Sequence, residues 1–132
     1  MTDRELLELA AKAAGYKVHT SLMEQRAIAS PDAIALALSD PGNTWWNPLE
    51  DDGDALRLAV ALGIAVVPYP IYARPKHSVI AKQYNHLAAL RGEGQDINIE
   101  EIQVYSSDPN AATRRAITRA AAEIQRQREA SK

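Results

Sequence analysis

The segment Trp45-Trp46-Asn47-Pro48-Leu49-Glu50-Asp51-Asp52-Gly53-Asp54 runs straight into Ala55-Leu56-Arg57-Leu58-Ala59-Val60-Ala61-Leu62-Gly63-Ile64. No other stretch restricts the fold as much, because it carries a helix start, a helix stop and both tryptophans. Ala55, Leu58, Ala59 and Leu62 recur at helical spacing, Leu56 and Val60 flank them, and Arg57 points away, so residues 51–62 read as an amphipathic helix. One of Glu50, Asp51 or Asp52 caps it, and Gly63 ends it by supplying a left-handed residue. Ile64 to Tyr72 follows as an apolar strand. Pro68 and Pro70 cannot donate to a ladder, which puts that strand at a sheet edge or beside a bulge.

The same local signals organise the rest of the chain. Residues 3–14 form a helix capped by Thr2 or Asp3, with Leu6, Leu9, Ala10 and Ala13 on one face and Gly15 as the stop. Tyr16 to His19 opens a strand. Residues 30–38 carry two signals. Ser30 with Pro31 suits a helix start, whereas the alternation of Ile34, Leu36 and Leu38 with alanines suits a strand, and the turn Asp40-Pro41-Gly42-Asn43 favours the strand. Ser78 to Tyr84 and Ile97 to Tyr105 are two further strands, joined through a loop or hairpin tip at 85–95. Asp108 as N-cap and Pro109 at the first helical position begin the last helix, whose core stripe is Ala116, Ile117, Ala120, Ala121 and Ile124. From about residue 125 the tail is polar and frays.

Helix, one or two strands, helix, about three strands, helix: this order specifies a single α+β domain over residues 1–132. About three helices cover a mainly antiparallel sheet in a helix-sheet-helix layered sandwich. With no phenylalanine, the core is built from Leu, Ile, Val and Ala, and alanine faces imply close packing of elements.

Composition removes several functional classes. A net charge of -2 gives no global basic field towards nucleic acid or anionic membrane. Without cysteine there are no disulfides and no thiolate metal ligands, which suits a reducing cytoplasm. No apolar run approaches the roughly 20 residues that span a bilayer, and Met1-Thr2-Asp3-Arg4-Glu5 opens unlike a signal peptide. The chain also lacks phosphate-loop, dinucleotide-fold and nucleophile-elbow glycine motifs.

Three pieces of the chain share an order with a known group. A helix such as Arg4-Glu5-Leu6-Leu7-Glu8-Leu9-Ala10 comes first. The aromatic-Asn-Pro turn with its acids then leads into Asp54-Ala55-Leu56-Arg57-Leu58-Ala59, and Asp108-Pro109-Asn110-Ala111-Ala112-Thr113-Arg114-Arg115-Ala116-Ile117 opens the last helix. This order resembles the small phage and prophage proteins of the ABA-sandwich family and the related NinX-like phage proteins. The match covers less than half of the chain. It implies a layered helix-sheet-helix fold encoded among phage accessory genes, and it implies no catalytic residue and no cofactor.

The candidate sites each have a bland alternative. Asp51, Asp52 and Asp54 beside Glu50 are weak metal candidates for an assisted hydrolysis. Ala55 and Leu56 stand where oxygen ligands would continue, so helix capping accounts better for the acids. Arg114 and Arg115 sit in the first turns of the last helix, where positive charge is disfavoured by the dipole. Arg114 flanks the core stripe. It either helps to bind an anion or pairs with Asp51, Asp52 or Asp54, and the pair is the favoured reading. Arg115, Arg119 and Arg126 project from the opposite face.

Trp45 and Trp46 are neighbours in an extended segment, so one faces the core and the other the rim. A rim tryptophan suits stacking on a base or anchoring a partner; otherwise both help to close the core. The segment Arg74-Pro75-Lys76-His77, after Tyr69 and Tyr72, has the makings of a nucleic-acid contact or of a solvated turn. His19, His77 and His86 have no zinc-ligand spacing.

The expected activity is therefore that of a cytoplasmic phage or prophage accessory protein. It binds a host protein or a small nucleotide-like ligand, as in host-defence antagonism. A metal-dependent hydrolase and a nucleic-acid-binding protein are the alternatives. A homodimer through the proline-marked edge strand is a further expectation.

Overall fold

In the computed structural model the chain is described over residues 1–30, 32–69, 78–84, 97–104 and 107–131. The described elements are α1 (Asp3–Ala14), β1 (Lys17–Val18), α2 (Thr20–Ala29), β2 (Leu36–Asp40), β3 (Thr44–Trp46), α3 (Asp52–Leu62), β4 (Ile64–Tyr69), β5 (Ser78–Tyr84), β6 (Ile97–Val104) and α4 (Pro109–Ala130). This is an α+β fold. Its described strands form two antiparallel sheets, ordered β1-β2-β3 and β4-β5-β6.

The helix ends are where the local chemistry places them. Thr2 and Glu5 close a capping box on α1, and Gly15 takes the left-handed conformation at φ 78°. Asp51 accepts from the Asp54 N–H at the start of α3, and Gly63 ends it at φ 63°. On α4 the Asp108 carboxylate accepts from the Ala111 N–H, with Pro109 in the first helical turn. Each cap satisfies a donor that the helix cannot. Asp51→Ala and Asp108→Ala should each lower stability by about 1 kcal/mol, read as a shift of the urea midpoint at unchanged slope.

The described residues form four helices, one more than the sequence pattern marks. The additional helix is α2, whose one buried side chain is Met23, so no apolar stripe marks it in the sequence. Its N-cap is His19, whose Nδ1 accepts from the Leu22 N–H. The Met23 thioether takes a further contact from the buried Ala37 N–H at 3.2 Å, tying α2 to β2. Residues 32–35 are not helical, and the alternating segment becomes the strand β2, paired with β3 as Leu36↔Trp46 and Leu38↔Thr44. The polar end of α4 does not fray. It stays helical to Ala130, and Arg128 donates to the Ala13 carbonyl at 2.9 Å, pinning the tail to the end of α1.

β4 occupies an edge of its sheet, as its proline requires. Within the described residues it ends at Tyr69; Tyr72, Pro70 and the Arg74 to His77 segment lie outside them, as do His86 and the tip at 85–95. α4 crosses β5 and β6, packs along α1 and touches α3 and β4. One core cluster collects Ala10, Ala11, Ala13, Ala116, Ala120 and Ala121 from α1 and α4, with Leu7, Leu58, Val79 and Ile99. Alanine on both helices lets their backbones approach closely, which compensates for the lack of phenylalanine. Among the described residues, no helix is long and apolar enough to cross a membrane.

Candidate functional site

α4 sets up the charged chemistry of the molecule. Twenty-two residues of helix make a rod of roughly 33 Å at 1.5 Å per residue, turning 100° each step. Its alanine and isoleucine stripe faces the core, which leaves two arginine faces with different fates.

Arg114 flanks the stripe and is used structurally. Its Nε donates to the Leu49 carbonyl at 2.9 Å and its Nη1 to Asp52 Oδ1 at 2.6 Å. The side chain is only 17% exposed, whereas the Asp52 carboxylate is 73% exposed. Arg114 thus joins α4 to the turn that launches α3.

Arg115, Arg119 and Arg126 open together onto one polar cleft of about 330 Å³ between α1, β6 and α4. Met1, Leu6, Glu101, Ala122 and Glu123 also line it, with Leu6 and Ala122 almost fully buried. The three guanidiniums are held unequally. Arg115 makes a bidentate pair with Asp3, at 3.1 and 3.2 Å. Arg126 donates to Glu123 three residues back at 3.2 Å, an exposed helix-surface pair of small worth. Arg119 stands 3.9 Å from Glu101, too far for a hydrogen bond, and is about half exposed. Beside Arg115 a second, shallower recess contains Gln103, whose buried Oε1 has no donor among the described residues.

The acids at 50–54 do not converge. Asp51 caps α3, Asp52 meets Arg114, and Asp54 Oδ2 accepts from the Asn47 N–H at 3.0 Å. Asp54 Oδ1 also takes Arg57 Nη2 at 2.8 Å, and this hydrogen bond is the main reason the Arg57 pKa is raised above its ordinary value. Among the described residues no three His, Asp or Glu side chains are grouped to hold a metal ion.

No family model, curated protein or solved structure matches the chain. Its activity must therefore be read from its own residues.

The tryptophans take opposite sides of β3. Trp46 is 3% exposed and meets Tyr16 edge-to-face at 5.6 Å, while Trp45 is 44% exposed. The exposed ring is not free, because the Arg26 guanidinium lies 4.1 Å from its centroid. That stacking partner comes from α2, the helix that the sequence did not reveal, so neither the partner nor its geometry was legible. On a helical projection Leu56 and Val60 flank the buried face of α3; in the structure they are 64% and 75% exposed.

Proposed function

We propose that this chain is a phage or prophage accessory protein that acts in the cytoplasm by binding, and that its ligand is a small nucleotide-like anion held in the cleft between α1, β6 and α4. The convergence of Arg115, Arg119 and Arg126 on that cleft carries the reading. Two of the three are weakly engaged, so an incoming phosphate can recruit them without breaking a buried pair. Met1, 61% exposed, lies at the cleft and offers an apolar surface to a base or sugar. A volume of about 330 Å³ falls at the small end of the ~300–1,000 Å³ range of ligand pockets, which suits a mononucleotide.

Nucleic acid is a poorer fit. A continuous phosphate backbone needs a longer cationic track than three arginines, each beside an acid (Asp3, Glu101 or Glu123), provide. The hydrolase reading draws less support still, since Asp51, Asp52 and Asp54 each serve a different structural partner. The resemblance to phage ABA-sandwich proteins supplies the biological setting of the proposal.

Calorimetric titration with AMP, ADP and GMP against adenosine and guanosine tests the site. The phosphorylated compounds should bind and the nucleosides should not. Arg119→Gln with Arg126→Gln should weaken binding by about tenfold or more, the equivalent of ~1.4 kcal/mol. Equal binding of nucleoside and nucleotide, or no effect of the paired substitution, refutes the assignment.

A further inference from the structure

A separate face of the molecule has the character of a protein-docking surface. α3 buries Ala55, Leu58, Ala59 and Leu62, yet it also turns Leu56 and Val60 to solvent at 64% and 75% exposure. Four residues apart, these two side chains stack along one ridge. Leu56 also forms the lip of a groove of about 280 Å³ between α3 and α4, with Val66 and Ile117 among its lining residues. The groove is mainly apolar along its length. At one end, where α3 begins, it reaches Asp52 and Arg114.

Beside that end acids are in excess. Among the described residues Asp51, Asp52 and Asp54 pair with Arg57 and Arg114, so with Glu50 four acids stand against two arginines, and the Asp51 and Asp52 carboxylates are 60% and 73% exposed. An apolar ridge and groove that end in net negative charge complement a segment with apolar residues followed by cations. We infer that the α3–α4 groove docks a short basic amphipathic helix of a partner protein, its apolar stripe over Leu56 and Val60 and its Lys or Arg residues over Asp51 and Asp52. Apolar anchors at i and i+4 across a groove between helices are the geometry of helix-in-groove recognition. Strand addition is disfavoured on this side because exposed Pro68 removes a donor from β4. A second copy of the chain is a poor occupant, since two exposed apolar side chains fall far short of the ~800 Å² that each partner buries in a stable dimer. This inference does not depend on the arginine cleft, which lies on the opposite arginine face of α4.

The test uses the full chain and two synthetic peptides about four turns long. Both carry leucines at i and i+4 spacing on an alanine background; one has lysines at its polar positions and the other glutamates. Amide chemical shifts map the site and calorimetry gives the affinity. The lysine peptide should perturb Leu56, Val60, Val66 and Ile117, and it should bind at least about tenfold more tightly than its glutamate counterpart. Leu56→Glu with Val60→Glu, at solvent-exposed positions that leave the core intact, should remove that binding, with circular dichroism confirming the fold. Three results overturn the inference: equal affinity for the two peptides, perturbations centred elsewhere, or a Leu56- and Val60-dependent dimer in sedimentation without peptide.

Discussion

Trp46→Ala should cost about 3–5 kcal/mol, the usual penalty for truncating a buried large aromatic side chain. That is a large share of the ~5–15 kcal/mol that holds a typical domain together. Trp46 is 3% exposed, belongs to the core cluster and packs edge-to-face on Tyr16 at 5.6 Å. Among the described buried residues of the cluster Trp46 is the one aromatic side chain, with Tyr16 only partly buried against it, so the aliphatic neighbours cannot refill the space of an indole. A midpoint drop on the order of 10–20 °C is expected, because a chain of this length loses several degrees per kcal/mol.

Trp45→Ala is the matched control. Its ring is 44% exposed and its specific contact is the Arg26 stack at 4.1 Å, worth about 0.5–1 kcal/mol at an exposed site. The two single variants also separate the fluorescence. Removing Trp46 leaves the exposed indole, so native emission should shift to the red, and removing Trp45 should shift it to the blue. Similar stability losses for the two variants would contradict the division of the pair between core and rim.

The parts of the fold legible in sequence are those fixed by short-range chemistry. Gly15 and Gly63 end their helices because the left-handed conformation there is cheap for glycine. Asp108-Pro109 opens α4 because the cap and the missing N–H act within one turn. The turn at residues 40–43 returns the chain so that β2 pairs with β3. What was not legible depends on distance. Every described pairing joins strands adjacent in sequence, and the break between the two sheets falls at α3, between β3 and β4, which no local pattern in either strand encodes. α2 carries a single buried residue, and tertiary contacts through Met23 and Arg26 hold it, not an apolar stripe.

The candidate sites divide in the same way. Projection at 100° per residue separated Arg114 from Arg115, Arg119 and Arg126, and that separation persists in the structure. The carboxylates that face the second group, Asp3 and Glu101, come from α1 and β6, so their placement could not be read from α4 alone. Leu56 and Val60 look like flanks on a helical projection. Whether a flank is covered depends on the neighbouring element, and here none covers them among the described residues.

Arg114→Ala should destabilise the chain by about 1–3 kcal/mol, chiefly through a carbonyl and only secondarily through a charge. The Asp52 carboxylate is 73% exposed, so water and salt screen the ion pair to the small value of surface pairs. The Leu49 carbonyl belongs to a residue that is 8% exposed, and Arg114 Nε at 2.9 Å supplies its hydrogen bond from a distant element. Losing that donor strands a part-buried acceptor, which costs more than losing an exposed pair. Asp52→Ala should therefore cost less than Arg114→Ala, about 0–1 kcal/mol for the pair itself, and that smaller cost should fade at high salt. Arg114→Lys keeps the charge but replaces a rigid fork with a single flexible ammonium, so it should recover only part of the loss. If Asp52→Ala costs as much as Arg114→Ala and the loss disappears in salt, the ion pair is the fastener and the carbonyl is incidental. Because Arg114 is committed to this joint, the proposed nucleotide site in the α1–α4 cleft predicts equal AMP affinity for the folded Arg114→Ala variant and the parent. A loss of binding there would place Arg114 among the ligand contacts and move the anion site to the α3 side of the helix.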